Sequence, residues 1–386
     1  MSGLTIPFTG LKKQYHNLRQ EILDATDEVL RSGQLMNGNH TAEFENWLAK
    51  KNRSKYAIAV HSGTAALECI AEYCRMHTHF LDPRPMAVMP SLTYSATANA
   101  FIRAGWDVHF IDTDKYGIFD FDKIPPLVSF QAIVLVGLYG TSIVDHPGME
   151  RWRSKFINWV NLAKNDFFLI EDAAQHWLAS DCGRIGHSAA ISFDPMKNLP
   201  AYGNGGAVVT DDADLYHFAR AWRNNGKETN DYAGTNSRMS EIDCASLLVK
   251  SRYIDQWQRR RADIATYWRT RLQNADIRCM IGKETAREHA YHKFVIELDN
   301  RDQLAKELQK RKIETRIHYV QPLHEIGVFR QYNGPDILSV SSSLARRVLS
   351  LPFYPELSDL EVEYVIDQVL GCVDEIETHS TNPIRN

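Results

Sequence analysis

Apolar positions in this chain recur first at helical spacing. Tyr15, Leu18, Ile22, Val29 and Leu30 share one face between Leu11 and Arg31, and Gly33 supplies a stop. A compact apolar run, Tyr56 to Val60, then reads as a buried strand. It breaks at His61-Ser62-Gly63-Thr64, and Ala65 to Glu68 opens a helix. The pattern repeats as strand (Met86 to Met89), helix (Ser95 to Arg103), strand (Val108 to Ile111) and strand (Ala132 to Val136). A helix over Met149 to Ala163 and strands over Phe167 to Ile170 and Ala207 to Thr210 continue it. Buried strands alternating with amphipathic helices predict an α/β domain with a mostly parallel sheet. In such sheets ligands gather at the carboxyl ends of the strands, which directs attention to the loops after Val60, after Ile170 and around Ser192.

Beyond about Ser240 the texture changes. Ile242 to Leu272 reads as one long helix or two in series. A strand (Tyr291 to Leu298), a helix (Gln303 to Lys312), a strand near Arg316 to Tyr319 and a closing helix (Leu360 to Leu370) follow. The expected division is residues 1–240 as a large α/β domain and residues 241–386 as a connecting helix with a smaller α+β domain. Arg75 to Pro85 reads as an idiosyncratic loop, and the residues from about Glu375 as dispensable. No internal repeat is visible.

Composition adds mostly exclusions. The formal charge is −4 over 386 residues, spread evenly, and no long basic run suggests a nucleic-acid or membrane surface. Arg259-Arg260-Arg261 reads as the wet face of a helix. The six cysteines lack a paired or metal-ligand spacing, which argues against a disulfide framework and a metal site and for a reducing compartment. Cys69 and Cys74 read as small core residues. Without a signal peptide or a window of about 20 apolar residues, a soluble, cytoplasmic protein is expected.

Three loops carry candidate chemistry. Ser62, Gly63 and Thr64 stand between a strand and a helix, where free N–H groups, the helix dipole and two hydroxyls suit an anion; an ordinary N-cap would use the same residues. Asp172 ends a strand at the bottom of the expected crevice. It is either a helix cap or a carboxylate waiting for a cation, such as a protonated pyridine. Lys197 lies between Ser192 and the turn Gly203 to Gly206. Most lysines are solvated, but one confined there would have a lowered pKa and a free nucleophilic amine.

A phosphate cradle, a carboxylate and a downstream lysine are together what pyridoxal 5'-phosphate (PLP) requires of a protein. Seven stretches in order, Ser62 to Leu67, Pro90 to Asn99, Glu171 to Gln175, Ser192 to Lys197, Asn236 to Met239, Pro322 to His324 and Leu349 to Pro352, resemble the DegT/DnrJ/EryC1/StrS family of sugar aminotransferases. The resemblance covers nearly the whole chain. It implies the fold-type I architecture: a mostly parallel seven-stranded sheet flanked by helices, with a smaller α+β C-terminal domain. It also implies roles. Lys197 carries PLP as a Schiff base and shuttles the proton, and Asp172 keeps the pyridine nitrogen protonated. Gln175 reaches the ring hydroxyl, Tyr94 stacks on the ring, and Gly63, Thr64 and Ser192, with Ser62 beside them, hold the phosphate. Asn236 reaches the phosphate of a neighbouring subunit, so a homodimer with interfacial sites is implied. Arg316 and His324 resemble substrate-side positions, His324 reading equally well as a core histidine.

The implied reaction is ping-pong transfer of an amino group from an amino acid, glutamate being the expected donor, to a nucleotide-linked keto-sugar. Two residues depart from the family: Asp194 where His is usual, and Asn204 where Glu is frequent. Both adjoin the lysine and leave a non-sugar ketone open as acceptor. A non-catalytic PLP-binding regulator of the same fold is a further alternative, although no DNA-binding helix-turn-helix segment is evident. Lys197 argues against the family's dehydratases, which have histidine there. The absence of a Gly-x-Gly-x-x-Gly turn argues against a nucleotide-dependent dehydrogenase.

Overall fold

The structure is a computed structural model that describes residues 4–78, 84–124, 129–144, 167–229, 231–281, 289–332, 334 and 337–381. Helix α1 (Leu11–Ser32) ends where Gly33 turns left-handed at φ 68°. Helix α2 (Asn39–Asn52) follows, then β1 (Tyr56–Val60), α3 (Gly63–Met76), β2 (Met86–Pro90), α4 (Ser95–Arg103), β3 (Asp107–Ile111), β4 (Ala132–Val136), β5 (Phe168–Asp172), β6 (Ser188–Ser192) and β7 (Gly206–Thr210). These seven strands form one sheet in the order β1-β7-β6-β5-β4-β2-β3. The strands from β3 to β6 are parallel; β7 runs antiparallel to both of its neighbours, β6 and β1. Most of the strand residues are buried, which is why the strands appear in sequence as unbroken apolar runs rather than as alternations.

Helices α5 (Ala213–Trp222), α6 (Glu241–Ser251) and α7 (Ile254–Gln273) lead to β8 (Arg278–Cys279), β9 (Phe294–Glu297), α8 (Arg301–Lys310), α9 (Ser339–Arg347), β10 (Val348–Leu351) and α10 (Asp359–Thr381). Strands β10, β9 and β8 form a small antiparallel sheet. One face of the large sheet packs on α3 and α4 through Leu67, Ile70 and Phe101. The other packs on α2 and α6 through Phe44, Leu48 and Leu247. A separate core joins α7, α8 and α10 to the small sheet through Trp268, Phe294, Leu308 and Ile366, and Ile6 from the N-terminus enters it.

The segment Ile242 to Leu272 takes the second of its expected forms, two helices in series, α6 being capped by Ser240, whose side chain accepts from the Asp243 N–H. Several other expectations are corrected. Arg261 is not on a wet face: it is buried and donates to the carbonyls of Tyr291 and Phe353. Arg316 to Tyr319 forms only an isolated bridge, Arg316 with Ser350, so no strand develops there. Helix α10 runs on to Thr381, and Ile376 is buried while Glu375 pairs with Arg311, so the start of the stretch expected to be dispensable is packed against the protein. Helix α2 carries little periodic signal in the sequence because its apolar stripe is thin: Phe44 and Leu48 stand among Glu43, Glu45, Lys50 and Lys51. Helix α3 takes up Arg75 and Met76 from the expected loop, part of which lies outside the described residues, as does the expected helix over Met149 to Ala163. All six cysteines are free and buried.

Candidate active site

At the carboxyl ends of the parallel strands, loops following β2, β5 and β6 converge with the turn after β1 on a cavity of about 300 Å³. All three loops singled out in the sequence meet in it. Its walls include Ser62, Gly63 and Thr64; Tyr94; Asp172 and Gln175; Ser192, Asp194, Lys197 and Asn204; and, from the small-domain side, His292, Lys293, His318 and Tyr319.

The turn at α3 serves two purposes. Ser62 has extended backbone and caps the helix, its Oγ accepting from the Ala65 N–H at 3.1 Å. The N-cap reading therefore holds for its side chain, while the first-turn amides of Gly63 and Thr64 have no partner inside the helix. Gly63 is required by space: a Cβ there would lie 2.7 Å from Ser192 Cβ. Only glycine lets the end of β6 press against the helix N-terminus, bringing Ser192 beside the amides.

Asp172 is the last residue of β5 and is buried. Its Oδ2 accepts from Thr97 Oγ1 at 2.7 Å, and its Oδ1 from the Ala174 N–H at 3.2 Å. Thr97 sits one turn into α4, three residues after Tyr94, the N-cap. Among the described residues no cation pairs with Asp172. A buried carboxylate held only by neutral donors favours a positively charged occupant.

Lys197 lines the cavity with Asp172. Burial lowers the pKa of its amine below that of an ordinary lysine, with Asp172 and Asp194 partly opposing. Gln175 is fixed from both ends of its amide: Oε1 accepts from the Tyr139 N–H at 2.8 Å, and Nε2 donates to Tyr319 Oη at 3.0 Å. The rings of Tyr319 and Tyr94 lie 5.8 Å apart, centre to centre. Asp194 accepts from the Met196 N–H through Oδ1 at 2.9 Å, which shapes the turn before the lysine.

Three candidates lie away from the cavity walls. Asn236 is exposed, and its Oδ1 accepts from Arg238. Arg316 is exposed, with its guanidinium over the Phe8 ring at 5.7 Å. His324 has both ring nitrogens engaged, Nδ1 with Ser91 Oγ at 2.6 Å and Nε2 with Ser342 Oγ at 3.3 Å, the arrangement of a satisfied structural histidine.

Sequence reasoning missed Thr97, Tyr139, His292, Lys293, His318 and Tyr319. Thr97 was within reach, since it stands one helical turn after Tyr94. Lys293 also left a trace, as a lysine inside the apolar run Tyr291 to Leu298. His318 and Tyr319 were hidden by reading their segment as a strand, and Tyr139 by its position in a loop.

The residues present fit PLP: an unpaired buried carboxylate, a helix N-terminus that glycine leaves open, and a lysine between them. The profile of the DegT/DnrJ/EryC1/StrS aminotransferase family matches residues 16–370. The chain belongs to this family. A dTDP-3-amino-3,4,6-trideoxy-alpha-D-glucose transaminase of Streptomyces venezuelae is 31% identical over 96% of this chain and 97% of that protein. A pleiotropic regulatory protein of Geobacillus stearothermophilus is 30% identical over 95% of this chain and 98% of its own. The solved structure of S. venezuelae DesV in complex with a ketimine intermediate superposes with a TM-score of 0.85 at 30% identity, covering 96% and 98% of the two chains. DegT/DnrJ/EryC1/StrS aminotransferases depend on PLP. The seven-stranded large sheet is the fold-type I architecture that the family resemblance implied. Among the described residues no helix is long and apolar enough to cross a membrane.

Proposed function

We propose that this chain moves an amino group from an amino acid, with glutamate as donor, to the ketone of a nucleotide-linked sugar. The observation that carries the reading is Asp172 and Lys197 in one cavity, opposite the open turn at Gly63. Asp172 would hold the pyridine nitrogen of PLP; Gly63, Thr64 and Ser192, with Ser62 beside them, its phosphate; Tyr94 its ring face; and Gln175 its ring hydroxyl. Bound there, PLP supplies an electron sink for the carbon that gains or loses the amine.

The protein supplies the rest. Thr97 and the Ala174 N–H hold the Asp172 carboxylate in place. Lys197, whose amine burial holds below the ordinary lysine range, would tether the cofactor and, once displaced by an incoming amine, would take up and return the substrate carbon's proton. Gln175 and Tyr319 brace one another along the cavity wall.

The sugar half of the proposal draws on relatives named as transaminases of dTDP-linked and UDP-linked amino sugars. An open groove shares Ser62 and Thr64 with the cavity and is also lined by Thr235, next to Asn236. The family resemblance supports a homodimer in which Asn236 of one subunit completes the site of the other. The test is to load the enzyme with amine from glutamate, remove the donor, and offer nucleotide-linked keto-sugars. Return of the visible absorption band of lysine-bound PLP, together with an aminated sugar, supports the reading. Failure of every such sugar alongside success with a simple keto acid would move the acceptor outside the sugars.

A further inference from the structure

Lys293 is 7% exposed and lines the cavity. Lys250, another buried lysine, donates to the Pro200 carbonyl at 2.7 Å. Lys293 has no such acceptor: among the described residues its Nζ makes no hydrogen bond or ion pair, and it lies 5.1 Å from the centre of the Phe8 ring. Burying an ammonium without an acceptor is costly, so the position needs a reason.

Its place is fixed from both sides. The Lys293 N–H donates to the Tyr139 carbonyl at 3.0 Å. His292 Nδ1 meets Asn198 Oδ1 at 3.1 Å, and Asn198 Nδ2 donates to the Ala290 carbonyl at 2.5 Å. Asn198 follows Lys197 directly, so the segment 290–293 is clamped to the loop that carries the reactive lysine. The charged groups facing Lys293 are Lys197 and Asp194 from that loop and Arg261 from α7, with the imidazoles of His292 and His318 close by. Arg261 and Glu356 line an adjoining pocket together with Lys293, and the cavity itself presents Lys197 and Lys293 alongside Asp172 and Asp194.

We propose that Lys293 forms the carboxylate subsite of this cavity and holds the α-carboxylate of the amino donor beside Lys197. The inference rests on the aminotransferase reading above. In an amino acid the α-carboxylate is bonded to the carbon that bears the reacting amine, so its anchor has to stand near Lys197. A carboxylate remote from the reacting carbon would fall elsewhere.

The same lysine resolves a conflict built into ping-pong transfer, in which one cavity accepts an anionic donor and then an uncharged sugar ring. Burial holds the Lys293 amine well below the ordinary lysine range, with Lys197 and Arg261 adding to the effect and Asp194 opposing it. The lower the amine is held, the smaller its ammonium fraction in the absence of an anion, and the unprotonated amine can donate to or accept from a sugar hydroxyl. A carboxylate stabilises the ammonium and draws a proton in with it.

The test uses the PLP-loaded protein and glutarate, a dicarboxylate without an amine, followed by calorimetry in two buffers of different ionisation heat. Wild type should bind glutarate with proton uptake. K293M should bind about 10–100-fold more weakly, the loss expected for a charge-assisted hydrogen bond, and lose that uptake. K293R should recover much of the affinity. The glutamate concentration that half-bleaches the visible band should rise by a similar factor in K293M, while PLP retention stays as in wild type. K293Q replaces K293M if the latter does not fold. Equal glutarate affinity and equal proton uptake in wild type and the uncharged variant would overturn the proposal. A wild-type band that no amino acid bleaches would instead overturn the aminotransferase reading, and glutarate binding would still report on Lys293.

Discussion

Thr97→Val tests how Asp172 is held. The Thr97 hydroxyl and the Asp172 carboxylate are both buried, and their 2.7 Å contact is one of only two hydrogen bonds the carboxylate receives within the described protein. Valine keeps the shape and replaces the donor with a methyl group. A hydrogen bond to a charged group contributes about 1.5–3 kcal/mol, and losing it leaves a buried oxygen without that partner. Thr97 Oγ1 also meets Thr93 Oγ1 at 3.0 Å, but that contact involves two neutral hydroxyls and adds less. If the Asp172 carboxylate is what secures the pyridine nitrogen, most of the loss appears in PLP affinity. It is expected to fall about 10–100-fold, at about 1.4 kcal/mol per factor of ten. The assay is PLP titration of the apo-protein followed by absorbance, with Thr97→Ser as the control that restores the donor. Unchanged affinity in Thr97→Val would refute the assignment of Asp172 as the cofactor's anchor. Equal losses in Thr97→Ser and Thr97→Val would show that packing, not the hydrogen bond, matters.

Further outcomes follow from the same geometry. Removing residues 375–386 exposes the pocket of buried Ile376. It should lower stability in urea by about 1.5–3 kcal/mol, with the exposed Arg311–Glu375 pair adding about 0–1 kcal/mol; an unchanged midpoint would restore the view of this segment as dispensable. Burial pushes the pKa of His289 down to about 3, with His176 adding to the effect, so it is neutral in the fold and charged in the unfolded chain below about 6.5. The unfolded state then binds the extra proton, and stability present above pH 6.5 is lost as pH falls toward 3, by about 1.4 kcal/mol per pH unit. Urea titrations from pH 7 to 5 should show this slope added to those of His292 and His318, which burial lowers in the same direction, and His289→Asn should reduce the total by about 1.4 kcal/mol per pH unit. Asn236→Ala should weaken PLP retention without altering the secondary structure, and retention in wild type should fall on dilution below the dimer's dissociation range. Retention independent of both would argue for a self-sufficient subunit.

The large-domain sheet was legible because parallel strands buried on both faces leave apolar runs such as Ala132–Val136, which sequence and structure bound identically. The cofactor end of the site was legible for a related reason. Gly63, Asp172 and Lys197 each sit at a strand end or the loop beyond it, so chain order alone set them around one crevice. The other wall was not legible, since His292, Lys293, His318 and Tyr319 come from segments about 100 residues further along the chain, and no local pattern says that they meet Lys197 in one cavity. His324 shows the converse. Its motif pointed to a site, whereas Ser91 and Ser342 occupy both of its ring nitrogens. The antiparallel set of β7 follows from the loop Phe193 to Gly205, which carries Lys197 and returns the chain along β6 without a crossover helix.

The absorption spectrum tests the central claim most directly. With PLP added, the wild-type protein should gain a visible band that glutamate bleaches, and Lys197→Ala should show neither the band nor the bleaching. A protein that stays colourless with PLP, or a Lys197→Ala variant whose spectrum and response to glutamate match wild type, would contradict the assignment of Lys197.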